Sequence, residues 1–168
     1  MRLSRADGTF YRIVFTHDAP RLLDGVHSPE GRFHHSGQPA LYMSPSPEAA
    51  AFAVATYLQP SDPPRVTARL RLTGARVVDL RDNDTLAALG LTNEPSVEWQ
   101  PERAQGLPAT SWRASDAARA TGADGMIYTS RKVPSRWHLV LFRWNQPGGA
   151  LVELATAPVN WTPLPISL

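Results

Sequence analysis

Arg32 and Tyr42 carry the strongest chemical suggestion in this sequence. Arg32 opens the loop Gly31-Arg32-Phe33-His34-His35-Ser36-Gly37-Gln38-Pro39, and Tyr42 lies in the Ala40-Leu41-Tyr42-Met43 that follows. A guanidinium presents a planar fork of donors that matches pairs of phosphate oxygens. A phenol ring can stack on a flat heteroaromatic ring and still offer its hydroxyl. Together the two suit a dinucleotide. Spacing alone leaves a plainer alternative open: a solvated loop arginine and a strand tyrosine that serves the core.

The histidines form a second candidate set. His34 and His35, with His17 and His27, fall in one loop. Such a pair would serve as acid and base of an RNase-type site, or bind a metal. Adjacent residues of an extended chain point to opposite sides, however. No His-x-His or His-x-x-x-His spacing accompanies them, so no metal is expected. His138, on a late strand, reads as a core or edge residue. Trp99, Trp112, Trp137, Trp144 and Trp161 are dispersed and read as core and rim rather than as a base-stacking platform.

These side chains need elements to position them. Thr9 to Phe15 is rich in β-formers and predicts a strand. Residues 16–39, with three prolines and three glycines, predict a long loop of the kind that usually carries function. A short strand follows at 40–43. Ser46-Pro47-Glu48 then predicts a helix start, with serine as N-cap, proline in the first turn and an acid at the positive end. That helix is expected to run to about Leu58, with Ala50, Val54, Tyr57 and Leu58 on one face. Strands are expected at 65–72 and 76–80, separated by a turn at Gly74. Short helices are expected at 82–89 and 111–121, each stopped by glycine. Residues 91–110 read as irregular. Further strands are expected at 125–128, 137–144 and 150–155, and a proline-rich tail from about 156 should lie across the surface. The fold class is α+β.

Composition narrows the function classes. The 168 residues fit one domain, 1–168, with a single core. There is no cysteine, which excludes disulfides, thiolate metal sites and cysteine nucleophiles. No apolar run approaches the ~18 residues of a membrane span, and the N-terminus lacks a secretory stretch. A cytoplasmic protein is expected. The formal charge is +2 and Lys132 is the one lysine. Arginines are scattered rather than clustered, so direct nucleic-acid binding is not expected.

The stretch around Arg32 and Tyr42 resembles the RES-domain family. The shared pattern is Gly31, Arg32, Gly37, Pro39, Leu41, Tyr42 and Ser46-Pro47-Glu48. Tyr11-Arg12 is similar to the family's earlier strand arginine. Asp124-Gly125-Met126-Ile127-Tyr128-Thr129-Ser130 is similar to its late strand ending in serine. The match is close over about residues 9–58 and looser over 111–144. The resemblance implies a fold like that of ADP-ribosyltransferase toxins, with two small sheets and about three helices around an NAD⁺ cleft. It implies the toxin of a toxin–antitoxin pair, which hydrolyses NAD⁺ or transfers its ADP-ribose to a cellular acceptor. The partner would be an antitoxin with an Xre-like DNA-binding region. Arg32 and Arg12 would then hold the diphosphate or its ribose, Tyr42 would stack on nicotinamide, and Ser130 would bond within the nicotinamide half. From the residues alone, Arg12 could equally be a core arginine paired to Asp79, and Ser130 a strand-end hydroxyl.

One family position departs from the pattern. The family's glutamate, on the helix after the tyrosine, corresponds to Ala53. Alanine can neither stabilise an oxocarbenium-like centre nor accept a proton. Glu48 is the nearest acid, although it reads more simply as a first-turn helix acid, and Glu153 is the other candidate substitute. Three readings remain open: an NAD⁺-cleaving enzyme, a catalytically impaired module that binds NAD⁺ or a partner, and an RNase-type toxin using the loop histidines.

Overall fold

The computed structural model describes residues 1–163. Seven strands join in one hydrogen-bonded sheet: β1 Ser4–Phe15, β2 Leu41–Met43, β3 Arg65–Asp79, β4 Gly125–Thr129, β5 Trp137–Leu141, β6 Leu151–Leu154 and β7 Val159–Trp161. Among the described residues four α-helices accompany them: α1 Pro47–Val54, α2 Asn83–Ala88, α3 Trp99–Ala104 and α4 Trp112–Ala120. The mixed α and β class is as the sequence indicates.

The expected pair of small sheets is replaced by one because of β3. The strand continues past Gly74 through a β-bulge, where the register with β1 shifts between Ala6 and Gly8 and Gly74 takes a φ of 72° in place of the expected turn. β1 pairs with β3 from Arg65 to Val77 on one side; on the other, β7 takes Arg65–Thr67, β6 takes Leu70–Thr73 and β4, in parallel, takes Val77–Asp79. Its length therefore fuses two halves. The path continues through β5 to β2. Ser44, just past β2, then exchanges both backbone hydrogen bonds with Tyr11 of β1, at 2.7 and 2.9 Å. The order β1-β3-β4-β5-β2 thus closes back on itself.

Alternation along the strands divides the apolar residues into two cores. Leu41, Met43, Leu70, Leu72, Val77, Ile127, Leu139 and Leu141 face one way with Phe10. Val78, Met126, Tyr128 and Val140 face the other, where Phe33, Ala114 and Ala118 cover them. The same parity puts Tyr42, Tyr128 and His138 on that second side, since Tyr42 pairs with Val140 and Tyr128 with His138.

Three other expectations change. The irregular stretch 91–110 contains α3, too short to show an apolar period. The helix expected to reach Leu58 ends as α1 at Val54 and tightens into a 3-10 turn over Ala55–Tyr57. Tyr57 is exposed, so it is not on the buried face. The tail from 156 is not a plain surface strap: Val159–Trp161 adds to β3, and residues 164–168 lie outside those described.

Candidate functional site

Arg32 is held by α4. Ser111, at the helix start, turns its hydroxyl away from capping and donates it to the Arg32 carbonyl. Trp112 Nε1 donates to the Gly31 carbonyl at 2.8 Å, and Arg119 Nη2 donates to the Phe33 carbonyl at 3.2 Å. Gly31 itself is pressed against the His34 ring, so no side chain fits there. The loop is consequently fixed over the second core, with Phe33 fully buried as its plug.

The guanidinium of Arg32 lies over the Phe33 and Tyr128 rings, 4.7 and 5.0 Å from their centroids. Its Nη2 donates to the Pro95 carbonyl at 2.9 Å and more weakly to that of Thr129 at 3.4 Å. No carboxylate pairs with it among the described residues, and burial lowers its pKa. The remaining donors of the fork have no partner among the described residues. They belong to a residue that lines a cavity of about 810 Å³. That volume is within the ~300–1,000 Å³ range of small-molecule and cofactor sites.

Tyr42 lines the same cavity. Its hydroxyl accepts the Phe33 N–H at 3.0 Å and lies 2.8 Å from His34 Nδ1. His34 Nε2 faces the Ser28 carbonyl at 3.1 Å, and a carbonyl can only accept. The proton therefore resides on Nε2, and Nδ1 accepts from the phenol. The Tyr42 hydroxyl is spent on this chain, contrary to the expectation that it would be offered to a ligand; its ring remains available. Burial raises the Tyr42 pKa strongly and lowers that of His34, so both are neutral at neutral pH.

Ser130 follows β4 and lines the cavity, its Oγ accepting the Val133 N–H at 3.3 Å. Ala53, on α1, also lines it, so the family's glutamate position faces the cavity without a carboxylate. Arg12 lines a smaller adjoining cavity of about 170 Å³ that shares Tyr42, Ala53, Tyr57 and Tyr128 with the first. The pairing considered for Arg12 does not form. Asp79 binds Arg81 at 2.7 Å, whereas Arg12 donates to the Leu22 carbonyl at 3.1 Å. Burial pushes the Arg12 pKa down to about 10.

Glu48 is exposed in the first turn of α1 and Glu153 is exposed on β6; neither is among the lining residues. His34 and His35 diverge. His35 stacks on Trp112 at 4.7 Å and bonds Asp116 through Nε2 at 2.9 Å, so the two do not form an acid–base pair. Among the described residues no group of three or more His, Asp or Glu could hold a metal.

Sequence reasoning missed several lining residues. Trp99 is read as core or rim but lines the cavity, as do Phe52, Tyr57, Glu98, Tyr128 and His138. For Tyr128 and His138 a signal existed: both share the parity of Ser130 on neighbouring strands. His138 Nδ1 is 2.8 Å from Ser44 Oγ, and burial, with nearby Arg32 and Arg136, pushes its pKa down to about 4.

A fixed arginine loop over an aromatic-floored cavity, on a closed mixed sheet, defines a class that comparison with known proteins specifies. The RES domain model matches residues 3–162, and the chain belongs to that family. No curated protein matches the sequence. Among solved structures, the fold is similar to a chain in the crystal structure of the M. tuberculosis MbcT–MbcA toxin–antitoxin complex. The two share a TM-score of 0.60 and 19% identity over 96% of this chain and 88% of that one.

Proposed function

We propose that this protein is the toxin of a toxin–antitoxin pair and that it breaks the nicotinamide–ribose bond of NAD⁺, by hydrolysis or by ADP-ribosyl transfer. The observation that carries the reading is the pairing of two arginines that have no carboxylate partner among the described residues, Arg32 and Arg12, with an aromatic wall shared by adjoining cavities. A partly desolvated cation with free donors favours an anion. Two such cations suit a diphosphate and its adjoining ribose. The rings of Tyr42 and Tyr128 supply flat apolar surface for nicotinamide. Ser130 would hydrogen-bond in that half. Cleavage leaves positive charge on the ribose and releases neutral nicotinamide.

The partner in this reading is an antitoxin with an Xre-like DNA-binding region. The structural neighbour was crystallised as a toxin–antitoxin complex, which supports a protein partner here too. An acceptor protein for ADP-ribose and a cytoplasmic setting go with the reading. No helix of the described residues is long and apolar enough to cross a membrane.

The test is nicotinamide release from NAD⁺ by the purified chain, together with labelling of a cell extract from NAD⁺ carrying isotope in its adenylate. Either product supports the reading. If both are absent, and remain absent in Ala53→Glu, cleavage is ruled out. Ala53 favours a second reading, a module that binds NAD⁺ or a partner without turnover. Calorimetry showing NAD⁺ binding with no product in either assay would select it.

A further inference from the structure

Two carboxylates belong to the wall of the large cavity, Glu30 and Glu98. Arg103 engages Glu30 through both oxygens, each at 3.1 Å, and so consumes its acceptors in a bidentate pair. Glu98 is bound differently. Its Oε1 accepts one hydrogen bond from Arg131 Nη2 at 3.0 Å, and its Oε2 has no partner among the described residues. The side chain is 52% exposed. Arg131 directly follows Ser130, so this bond ties Glu98 to the segment that carries the cavity serine. Trp99, the next residue, lines the same wall.

We propose that Glu98, presented from the loop before α3, is the catalytic carboxylate of this chain and supplies from another wall what Ala53 cannot. The inference rests on the reading of the cavity as an NAD⁺-cleaving site. In hydrolysis the bond between ribose C1′ and the pyridinium nitrogen breaks, and its electron pair leaves with nicotinamide. Glu98 Oε2 stabilises the positive charge that develops on the ribose. A water oxygen forms the new bond to C1′, Oε2 accepts the proton it loses, and that proton passes to solvent. The products are nicotinamide, ADP-ribose and one proton. Arg131 orients the carboxylate.

The experiment measures nicotinamide release and NAD⁺ calorimetry side by side on the full chain. Glu98→Gln preserves an oxygen for Arg131 and removes the charge. It is expected to lower kcat about 100-fold or more while NAD⁺ Kd stays within about threefold. Adding Ala53→Glu to Glu98→Gln should recover at least about tenfold of the lost rate, a rescue that a merely structural role would not allow. Glu153→Gln, outside the cavity, should match wild type. A Glu98→Gln protein with wild-type kcat overturns the role of Glu98 and leaves NAD⁺ cleavage standing. Equal loss of binding and turnover, or failure of the rescue, also overturns it. Wild type that binds NAD⁺ without releasing nicotinamide overturns Glu98 as a hydrolytic carboxylate, and the labelling of a cell extract then separates transfer from a binding module. Wild type that does neither overturns the NAD⁺ reading as well.

Discussion

Arg32 and Arg12 are cations with no carboxylate partner among the described residues, and their cost and use are linked. Arg32→Gln removes the charge but keeps a polar chain over Phe33 and Tyr128. Charge-assisted bonds contribute ~1.5–3 kcal/mol each, so NAD⁺ affinity is expected to fall about 10–100-fold by calorimetry. Unchanged affinity would remove Arg32 from the site. For Arg12 the sign runs both ways. Its folded pKa is depressed to about 10, so the charged form is disfavoured by folding at neutral pH. Arg12→Met should therefore raise the Tm of the free protein by roughly 2–6 °C while weakening NAD⁺ binding, a trade of function against stability. Arg32 and Tyr42 were legible in the sequence because a short glycine-bounded loop and a strand carry them. Glu98, Trp99 and Tyr57 were not, since only the way remote segments wrap the cavity brings them to it.

At the level of elements, α4 and the arginine loop act as one unit. Ser111, Trp112 and Arg119 all hold loop carbonyls, and His34 locks the Tyr42 hydroxyl from inside the loop. Gly31 is where that unit is tightest. A Cβ there would press into the His34 ring, 2.9 Å from its Nδ1. Gly31→Ala is expected to destabilise by about 1–3 kcal/mol and to displace Tyr42 with His34. Denaturant midpoints and NAD⁺ affinity would fall together; a neutral effect on both would show that the loop yields freely. The helix start at Ser46 was readable from its capping serine and the proline after it, and the helix from Ser111 from the glycine that ends it. β3 was not, because Gly74 in isolation signals a turn, and only the pairing of β1, β6 and β7 along the strand keeps it extended. β7 escaped for the same reason: an edge segment acquires its state from the neighbour it pairs with.

Across the whole molecule, closure of the sheet buries polar groups that then bear on pH stability. His138 is buried against Ser44 with its pKa pushed down to about 4, and burial lowers that of His34 too. Between the ordinary histidine value near ~6.5 and the folded value, the unfolded chain binds protons that the folded chain refuses. Stability is therefore full above that range and declines as pH falls through it, with His138 contributing a loss of about 2–3 kcal/mol by pH 4. Urea midpoints should drop between about pH 6.5 and 5, where most carboxylates remain ionised, and His138→Gln should flatten the slope. A midpoint constant over that interval would contradict the burial argument. The overall class was readable from the mix of strand and helix signals, whereas the closure at Ser44 and Tyr11 depends on two backbone bonds that no side-chain pattern announces.

The most direct measurement is a crystal structure of the protein soaked with NAD⁺. The account predicts a dinucleotide in the 810 Å³ cavity, with phosphate or ribose oxygens bonded to Arg32 and a ring stacked on Tyr42. NAD⁺ bound elsewhere on the surface, with both side chains untouched, would contradict it.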